Sequence, residues 1–142
     1  MANFKQFENN FFIGPQPTEQ DLTDAKQRGI HTVIDLRMPS ETATPNADLV
    51  KKSGLSYVNI PVNKEALLPR QVDELAVVLQ HGQGPFLLHC ATGARAALLL
   101  ALSRAKQNSW LAERTFQEAE AMGYNLQGSP GFAAFVHQET NK

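Results

Sequence analysis

The stretch that decides the fold reads Leu87-Leu88-His89-Cys90-Ala91-Thr92-Gly93-Ala94-Arg95-Ala96. An apolar run precedes Cys90, the single cysteine of the chain, and a long helix-forming run follows Arg95. This order predicts a short strand, a tight loop and a helix N-terminus, whose inward-facing backbone N–H groups form an anion site. Cys90 would lie at its centre, where the helix dipole and Arg95 both favour the thiolate over the thiol. Such a thiolate can attack phosphorus or sulfur, which predicts an enzyme.

Other residues of the stretch favour a reactive Cys90 over an inert one. A buried cysteine usually behaves as a small apolar residue. Here, however, His89 precedes it and Gly93 stands where the loop backbone must bend sharply. Arg95 begins the helix, where a cation opposes the helix dipole unless an anion is bound. We therefore interpret Cys90 as a nucleophile. The predicted anion-binding groups are Arg95 and the backbone of Ala91, Thr92, Gly93 and Ala94.

The composition excludes several classes of function. The chain has 142 residues, of which 42% are hydrophobic and 19% charged, and this predicts one globular domain over residues 1–142. A net charge of -1 gives no attraction to nucleic acid or to anionic membranes. The four histidines have no metal-ligand spacing, and a single cysteine forms no internal disulfide. The N-terminal residues lack the pattern of a signal peptide, so we predict a cytoplasmic protein.

Strand-like and helix-like segments alternate along the chain. The predicted strands cover residues 11–13, 32–36, 55–60 and 86–88. The predicted helices cover residues 18–28, 47–52, 69–79, the run after the cysteine loop, 110–122 with Ser109 as its cap, and 130–139. This alternation predicts an α/β fold, with a mainly parallel sheet of about four to five strands flanked by helices. Ligands bind beyond the carboxyl ends of such strands, where the cysteine loop, Asp35 and Arg37 are expected.

The stretch from His89 to Arg95 resembles the loop of the cysteine-dependent phosphatases, which reads His-Cys, five residues, then Arg. Most of the chain is similar to a bacterial branch of that superfamily, the beta-lactamase-hydrolase-like, dual-specificity-phosphatase-like family. Besides the loop, the resemblance rests on Gly14 to Thr18 with Gln16-Pro17, on Val33 to Arg37, on Tyr57 to Val62, and on Ala121 to Leu126. It implies a phosphatase-like three-layer fold, with Cys90 as the nucleophile and Arg95 as the anion clamp.

The chain departs from the wider phosphatase pattern at three positions. Four residues instead of five separate Cys90 from Arg95, which is the spacing of many rhodanese-like sulfurtransferases. Ala96 stands where the phosphatases usually have Ser or Thr, a hydroxyl that Thr92 could replace. The general-acid Asp is absent after the segment that matches Ile60 to Val62, where the chain reads Asn63-Lys64-Glu65. Glu65 is the acid on that loop and becomes the candidate proton donor.

Two residues are predicted to support the site. His89 is expected to point away from the anion, with its ring buried behind the loop. There it could hold the loop backbone and support the thiolate, and a purely structural role in the core fits the sequence equally well. Arg37 could guide an anionic substrate, but an ion pair with Glu41 across the loop is favoured because surface charges commonly pair.

Three functions follow from these residues. The leading one is a phosphatase-like hydrolase of the tyrosine or dual-specificity type, in which Cys90 forms a phosphocysteine intermediate. The runner-up is a sulfurtransferase in which Cys90 carries a persulfide, and the third is a non-catalytic anion-binding module. The expected partner is a phosphorylated protein or small molecule, or else a sulfur donor. No metal or organic cofactor is predicted, because the helix N-terminus and Arg95 supply the charge.

Overall fold

The computed structural model describes residue 1 and residues 3–41 and 46–141, and its centre is a sheet of five strands. The strands are β1 (Lys5–Phe7), β2 (Phe11–Gly14), β3 (Thr32–Asp35), β4 (Ser56–Asn59) and β5 (Phe86–His89). They lie in the order β1-β2-β5-β3-β4, and every neighbouring pair is parallel except β1 with β2. This confirms the predicted α/β fold with a mainly parallel sheet.

Helices cover both faces of the sheet. They are α1 (Glu19–Gln27), α2 (Asn46–Lys52), α3 (Pro69–His81), α4 (Ala94–Asn108), α5 (Ala112–Ala121) and α6 (Pro130–Thr140). Side chains alternate along the strands, so that Val33 packs in the core formed with α1 and α2, while Ile34 packs in the larger core formed with α3 to α6. Among the residues that the structure describes, short 3₁₀ turns lie at Pro39–Glu41 and Leu126–Gly128. The result is the three-layer arrangement implied by the sequence.

Helix α4 is the central helix of the larger core. Its run from Ala96 to Leu102 is apolar on every side, and ten of its fifteen residues are buried. A fully buried leucine side chain contributes about 1.5–3 kcal/mol to stability. Because α4 carries four fully buried leucines, its N-terminus is firmly anchored beside the end of β5.

The helix boundaries follow the sequence signals, with one correction. Thr18 and Asp21 form the predicted capping box at the start of α1. Pro69 begins α3 as expected. Ser109, however, does not cap the following helix. It ends α4 in the left-handed conformation, with φ +57°, and α5 begins only at Ala112. The chain reverses at Ser109 to end α4, so Ser109 belongs to the C-terminal cap of α4 and not to the N-cap of α5.

The parallel strands bring four residues to one edge of the sheet. Gly14 and Asp35 are both register partners of His89, and Asp35 is also the partner of Asn59. The cysteine loop follows directly from this edge, which is where ligands bind in parallel sheets. In the described part of the chain, no helix has the length and apolar character needed to cross a bilayer.

Candidate active site

The cysteine loop occupies residues 90–93, between the end of β5 and the start of α4. Cys90 is fully buried at its base, and its Sγ accepts a hydrogen bond from the Gly93 backbone N–H at 3.0 Å. Gly93 has φ +101°, a conformation that side chains rarely adopt, and a Cβ there would overlap the hydroxyl of Tyr124. The tight turn therefore requires glycine and points one backbone N–H at the sulfur.

Arg95 lies in the first turn of α4 and is held by two groups from distant parts of the chain. Its Nη1 donates to the Val62 carbonyl at 2.7 Å and to Glu41 Oε2 at 2.8 Å, while Nη2 donates to Glu41 Oε1 at 2.6 Å. A guanidinium has five N–H donors. These three bonds leave the Nε–H and the second Nη2–H, which share one edge, for Cys90 or for an anion beside it. Glu41 thus leaves a bidentate edge of Arg95 available.

The predicted ion pair between Arg37 and Glu41 is wrong. Glu41 pairs with Arg95 instead, and its Oε2 also accepts from the Met38 backbone N–H at 2.6 Å. The Arg95 hydrogen bonds lower the pKa of Glu41, against a smaller opposing effect of burial. Glu41 in turn raises the pKa of Arg95, with a further contribution from Cys90. The error arose because Arg37, which follows β3, has a nearer partner at the last residue of that strand.

That partner is Asp35, in a buried polar network beneath the loop. Arg37 is 2% exposed, and its Nε and Nη2 each donate to Asp35 at 3.0 Å. The Tyr57 hydroxyl donates to Asp35 Oδ2 at 2.7 Å, and His89 Nε2 lies 3.8 Å from Oδ1. The side-chain amide of Asn59 donates to the carbonyls of residues 35 and 37. Arg37 therefore supports the strand ends and does not line the cleft at the loop.

The charges of this network follow from burial and pairing. Burial acts to raise the pKa of Asp35, but the hydrogen bonds from Arg37, the proximity of His89 and the Tyr57 hydroxyl together hold it below its usual value. Burial lowers the pKa of His89 to about 4, although Asp35 partly opposes this. Near neutral pH the network is thus an ionised Asp35–Arg37 pair beside a neutral imidazole. His89 is fully buried behind the loop, as the sequence indicated.

A cleft of about 580 Å³ opens above the loop, and it brings Glu65 to the same space as Arg95. Glu65 is exposed, in a turn where its backbone N–H donates to the Asn63 side chain. The other lining residues are Met38, Ser40, Glu41, Asn63, Lys64, Ala91, Thr92, Ala94, Ser129 and Phe132. The predicted proton donor and anion clamp therefore face one opening.

The hydroxyl that phosphatases place after their arginine has no equivalent at the same position. Ala96 is fully buried. The suggested substitute, Thr92, is exposed, and its Oγ1 accepts from the Ala94 backbone N–H at 3.4 Å, so it faces the start of α4. A different hydroxyl lies behind the loop: Tyr124 donates to the Thr92 carbonyl at 2.9 Å. Sequence reasoning assigned Tyr124 no role, because no local pattern connects it with a loop 32 residues earlier.

Comparison with known proteins gives consistent matches. Residues 3–107 match the model of the family described as Beta-lactamase hydrolase-like protein, phosphatase-like domain. A Beta-lactamase hydrolase-like protein of Xylella fastidiosa (strain Temecula1) is 26% identical over 119 residues, which are 80% of this chain. The chain spans only 28% of the length of that relative.

Two solved structures are similar over nearly the whole chain. A DUF442 protein from Shewanella putrefaciens CN-32, assigned as a phosphatase, has a TM-score of 0.81 at 25% identity, and the match covers 98% of this chain and 89% of that one. The protein nma1982 from Neisseria meningitidis Z2491, with the same assignment, has a TM-score of 0.80 at 26% identity, and the match covers 98% and 99% of the two chains.

Proposed function

The chain belongs to the family of phosphatase-like domains of beta-lactamase hydrolase-like proteins, and from this premise we propose that it hydrolyses phosphoric monoesters through Cys90. The observation that carries the proposal is the set of groups around the Cys90 sulfur, which we call the cradle: the N-terminus of α4, the Gly93 N–H and the Arg95 guanidinium. The Cys90 sulfur lies at the N-terminus of α4, receives the Gly93 N–H at 3.0 Å, and has the available edge of Arg95 beside it. Each of these groups stabilises negative charge at the sulfur or on an anion above it.

In the proposed reaction the Cys90 thiolate attacks phosphorus, and the bond from phosphorus to the leaving oxygen breaks. Arg95 and the loop N–H groups of residues 91–94 stabilise the negative charge of the equatorial oxygens and of the sulfur during this step, with the Gly93 N–H at the sulfur. Glu65 gives a proton to the leaving oxygen, and the new S–P bond holds the phosphoryl group. Water then attacks phosphorus and returns a proton to Glu65, the S–P bond breaks, inorganic phosphate leaves and the Cys90 thiolate is regenerated. The helix N-terminus and Arg95 balance the charge, so the proposal needs no metal or organic cofactor.

We further propose that the described elements act as one phosphatase-like domain over residues 1–142. Strands β1 to β5 share one sheet, and α4 packs against α3, α5 and α6. The substrate is a phosphorylated protein or small molecule. The lone cysteine suits a reducing compartment, which favours a cytoplasmic location.

Glu65 is proposed as the proton donor to the leaving oxygen, because it faces the cleft with Arg95. The variant Glu65→Gln should lower the rate on an alkyl phosphate by about 10²-fold, while an aryl phosphate, whose leaving group needs no proton, should react nearly as before. Initial rates on the two substrates measure this difference. The matched control is Glu74→Gln, which removes the same charge from an exposed position of α3. An equal loss on both substrates would contradict the assignment.

Glu41 is proposed to hold the Arg95 guanidinium in its position beside Cys90. In the variant Glu41→Gln only the amide oxygen can accept from Arg95, because the amide nitrogen is itself a donor, so one of the two charge-assisted bonds, worth about 1.5–3 kcal/mol, is lost and the other loses its charged acceptor. We expect kcat/KM for an aryl phosphate to fall about tenfold, since a difference of about 1.4 kcal/mol changes a rate tenfold. Steady-state kinetics against the Glu74→Gln control measure the effect. A rise in kcat/KM would instead show that Glu41 competes with the phosphate for Arg95.

Intact mass spectrometry of Cys90 tests the proposed function directly. The protein is mixed with an aryl phosphate, quenched in acid and measured, and a parallel reaction contains a persulfide donor. A phosphoryl adduct on Cys90 supports the proposal. A persulfide adduct alone would favour sulfur transfer, which the four-residue spacing between Cys90 and Arg95 also suggests. Phosphate binding without either adduct would make this an anion-binding module.

A further inference from the structure

Tyr124 is brought to the back of the cysteine loop by the way helix α5 ends. The helix stops at Ala121, and Gly123, with φ +98°, reverses the chain. The Tyr124 backbone N–H then donates to the Ala119 carbonyl at 3.0 Å, which closes a Schellman-type turn. From this fixed position the tyrosine hydroxyl donates to the Thr92 carbonyl at 2.9 Å.

This hydrogen bond acts on the same peptide unit that contacts the nucleophile. In a planar trans peptide the C=O and the N–H point in opposite directions. The carbonyl of Thr92 is held by Tyr124 on one side, and the N–H of Gly93 donates to Cys90 Sγ at 3.0 Å on the other. If this peptide rotated by half a turn, its carbonyl would face the sulfur. A carbonyl there would repel both a thiolate and a bound phosphate.

Glycine at position 93 makes the steric cost of such a rotation lower than it would be for a residue with a Cβ. Gly93 lacks a Cβ and has φ +101°, so neighbouring conformations cost it less than any other residue. The Thr92 hydroxyl is engaged elsewhere, with the Ala94 N–H. Burial and the nearby Cys90 raise the pKa of Tyr124, which keeps its phenol protonated and able to donate.

We propose that Tyr124 is a positioning residue, which holds the Thr92–Gly93 peptide with its N–H directed at Cys90 Sγ. The inference rests on the proposed function, because it assigns Tyr124 a part in the same reaction. Tyr124 acts through the loop and does not itself contact the substrate.

The test is the variant Tyr124→Phe, which keeps the ring that packs against the loop and removes only the hydroxyl. The rate of Cys90 alkylation by iodoacetate is measured from pH 5 to 9, together with hydrolysis of an aryl phosphate and the thermal midpoint. The alkylation profile should shift to higher pH. Both kcat and the alkylation rate near pH 7 should fall about tenfold. This is the loss expected when the Gly93 N–H no longer donates its hydrogen bond to the charged sulfur. The thermal midpoint should change little, because the lost bond is exposed.

The matched control is Thr32→Val, which removes another hydroxyl-to-carbonyl bond, to Gln83 at 2.8 Å, at the opposite end of β3. It should leave the alkylation profile unchanged. An unshifted profile in Tyr124→Phe, or an equal shift in the control, would overturn the proposal. Alkylation requires no phosphatase activity, so a shifted profile without hydrolysis in the wild-type protein would contradict the proposed function and leave the role of Tyr124 intact.

Discussion

Replacing Cys90 by serine is expected to reduce hydrolysis of an aryl phosphate by at least about 10⁴-fold, the range in which loss of a catalytic nucleophile falls. A serine hydroxyl is almost entirely un-ionised near neutral pH and is a much weaker nucleophile than a thiolate. The substitution changes one atom in a fully buried position, and the surrounding core of α4 is untouched. The fold should therefore survive while the chemistry is lost.

Initial rates with wild-type protein and Cys90→Ser measure this effect, and the acid-quenched adduct should vanish in the same variant. Phosphate binding, followed by calorimetry, should persist, because Arg95 and the loop N–H groups remain. The control Thr32→Val should hydrolyse the substrate at the wild-type rate. Activity in Cys90→Ser within tenfold of wild type would place the nucleophile elsewhere and refute the mechanism.

Local signals explain why the cysteine loop and its flanking elements could be predicted from the sequence. The apolar run before Cys90, the glycine and the apolar helix after Arg95 each dictate a neighbouring element, and the structure shows the strand, the turn and the buried helix in that order. The capping box of Thr18 with Asp21 is equally local, because both partners lie within one turn. Such patterns act over a few residues and are readable from one chain.

Side-chain partners across the site could not be predicted in this way. Glu41 and Arg95 are 54 residues apart, and the meeting of Tyr124 with Thr92 depends on how α5 packs beside α4. The nearby Arg37 offered Glu41 a plausible local partner. Arg37 pairs instead with Asp35, which is two residues away in the sequence and equally buried. Burial decides between such partners, because a buried arginine must find a counter-charge whereas an exposed one need not.

The same reasoning predicts a large loss of stability when Asp35 is replaced by asparagine. Its carboxylate accepts hydrogen bonds from the Arg37 backbone and side chain and from Tyr57. Asparagine removes the charge and leaves Arg37, which is 2% exposed, without its counter-ion. Breaking a buried ion pair from one side costs about 3–5 kcal/mol, a large part of the stability of a domain. We expect the free energy of unfolding in Asp35→Asn to fall by that amount.

Urea denaturation at pH 7 measures this loss, and Asp73→Asn is the matched control. Asp73 meets Lys106 at 3.5 Å on the surface, where an ion pair is worth at most about 1 kcal/mol.

Because the pKa of Asp35 is held below its usual value, its stabilising effect is complete well above pH 3.8 and is lost as the pH falls through the lowered value. The difference between wild type and Asp35→Asn should therefore narrow in acid. Equal losses in Asp35→Asn and Asp73→Asn would mean that the Asp35–Arg37 pair contributes no more than a surface contact, and that the strand ends beneath the loop are held by packing alone.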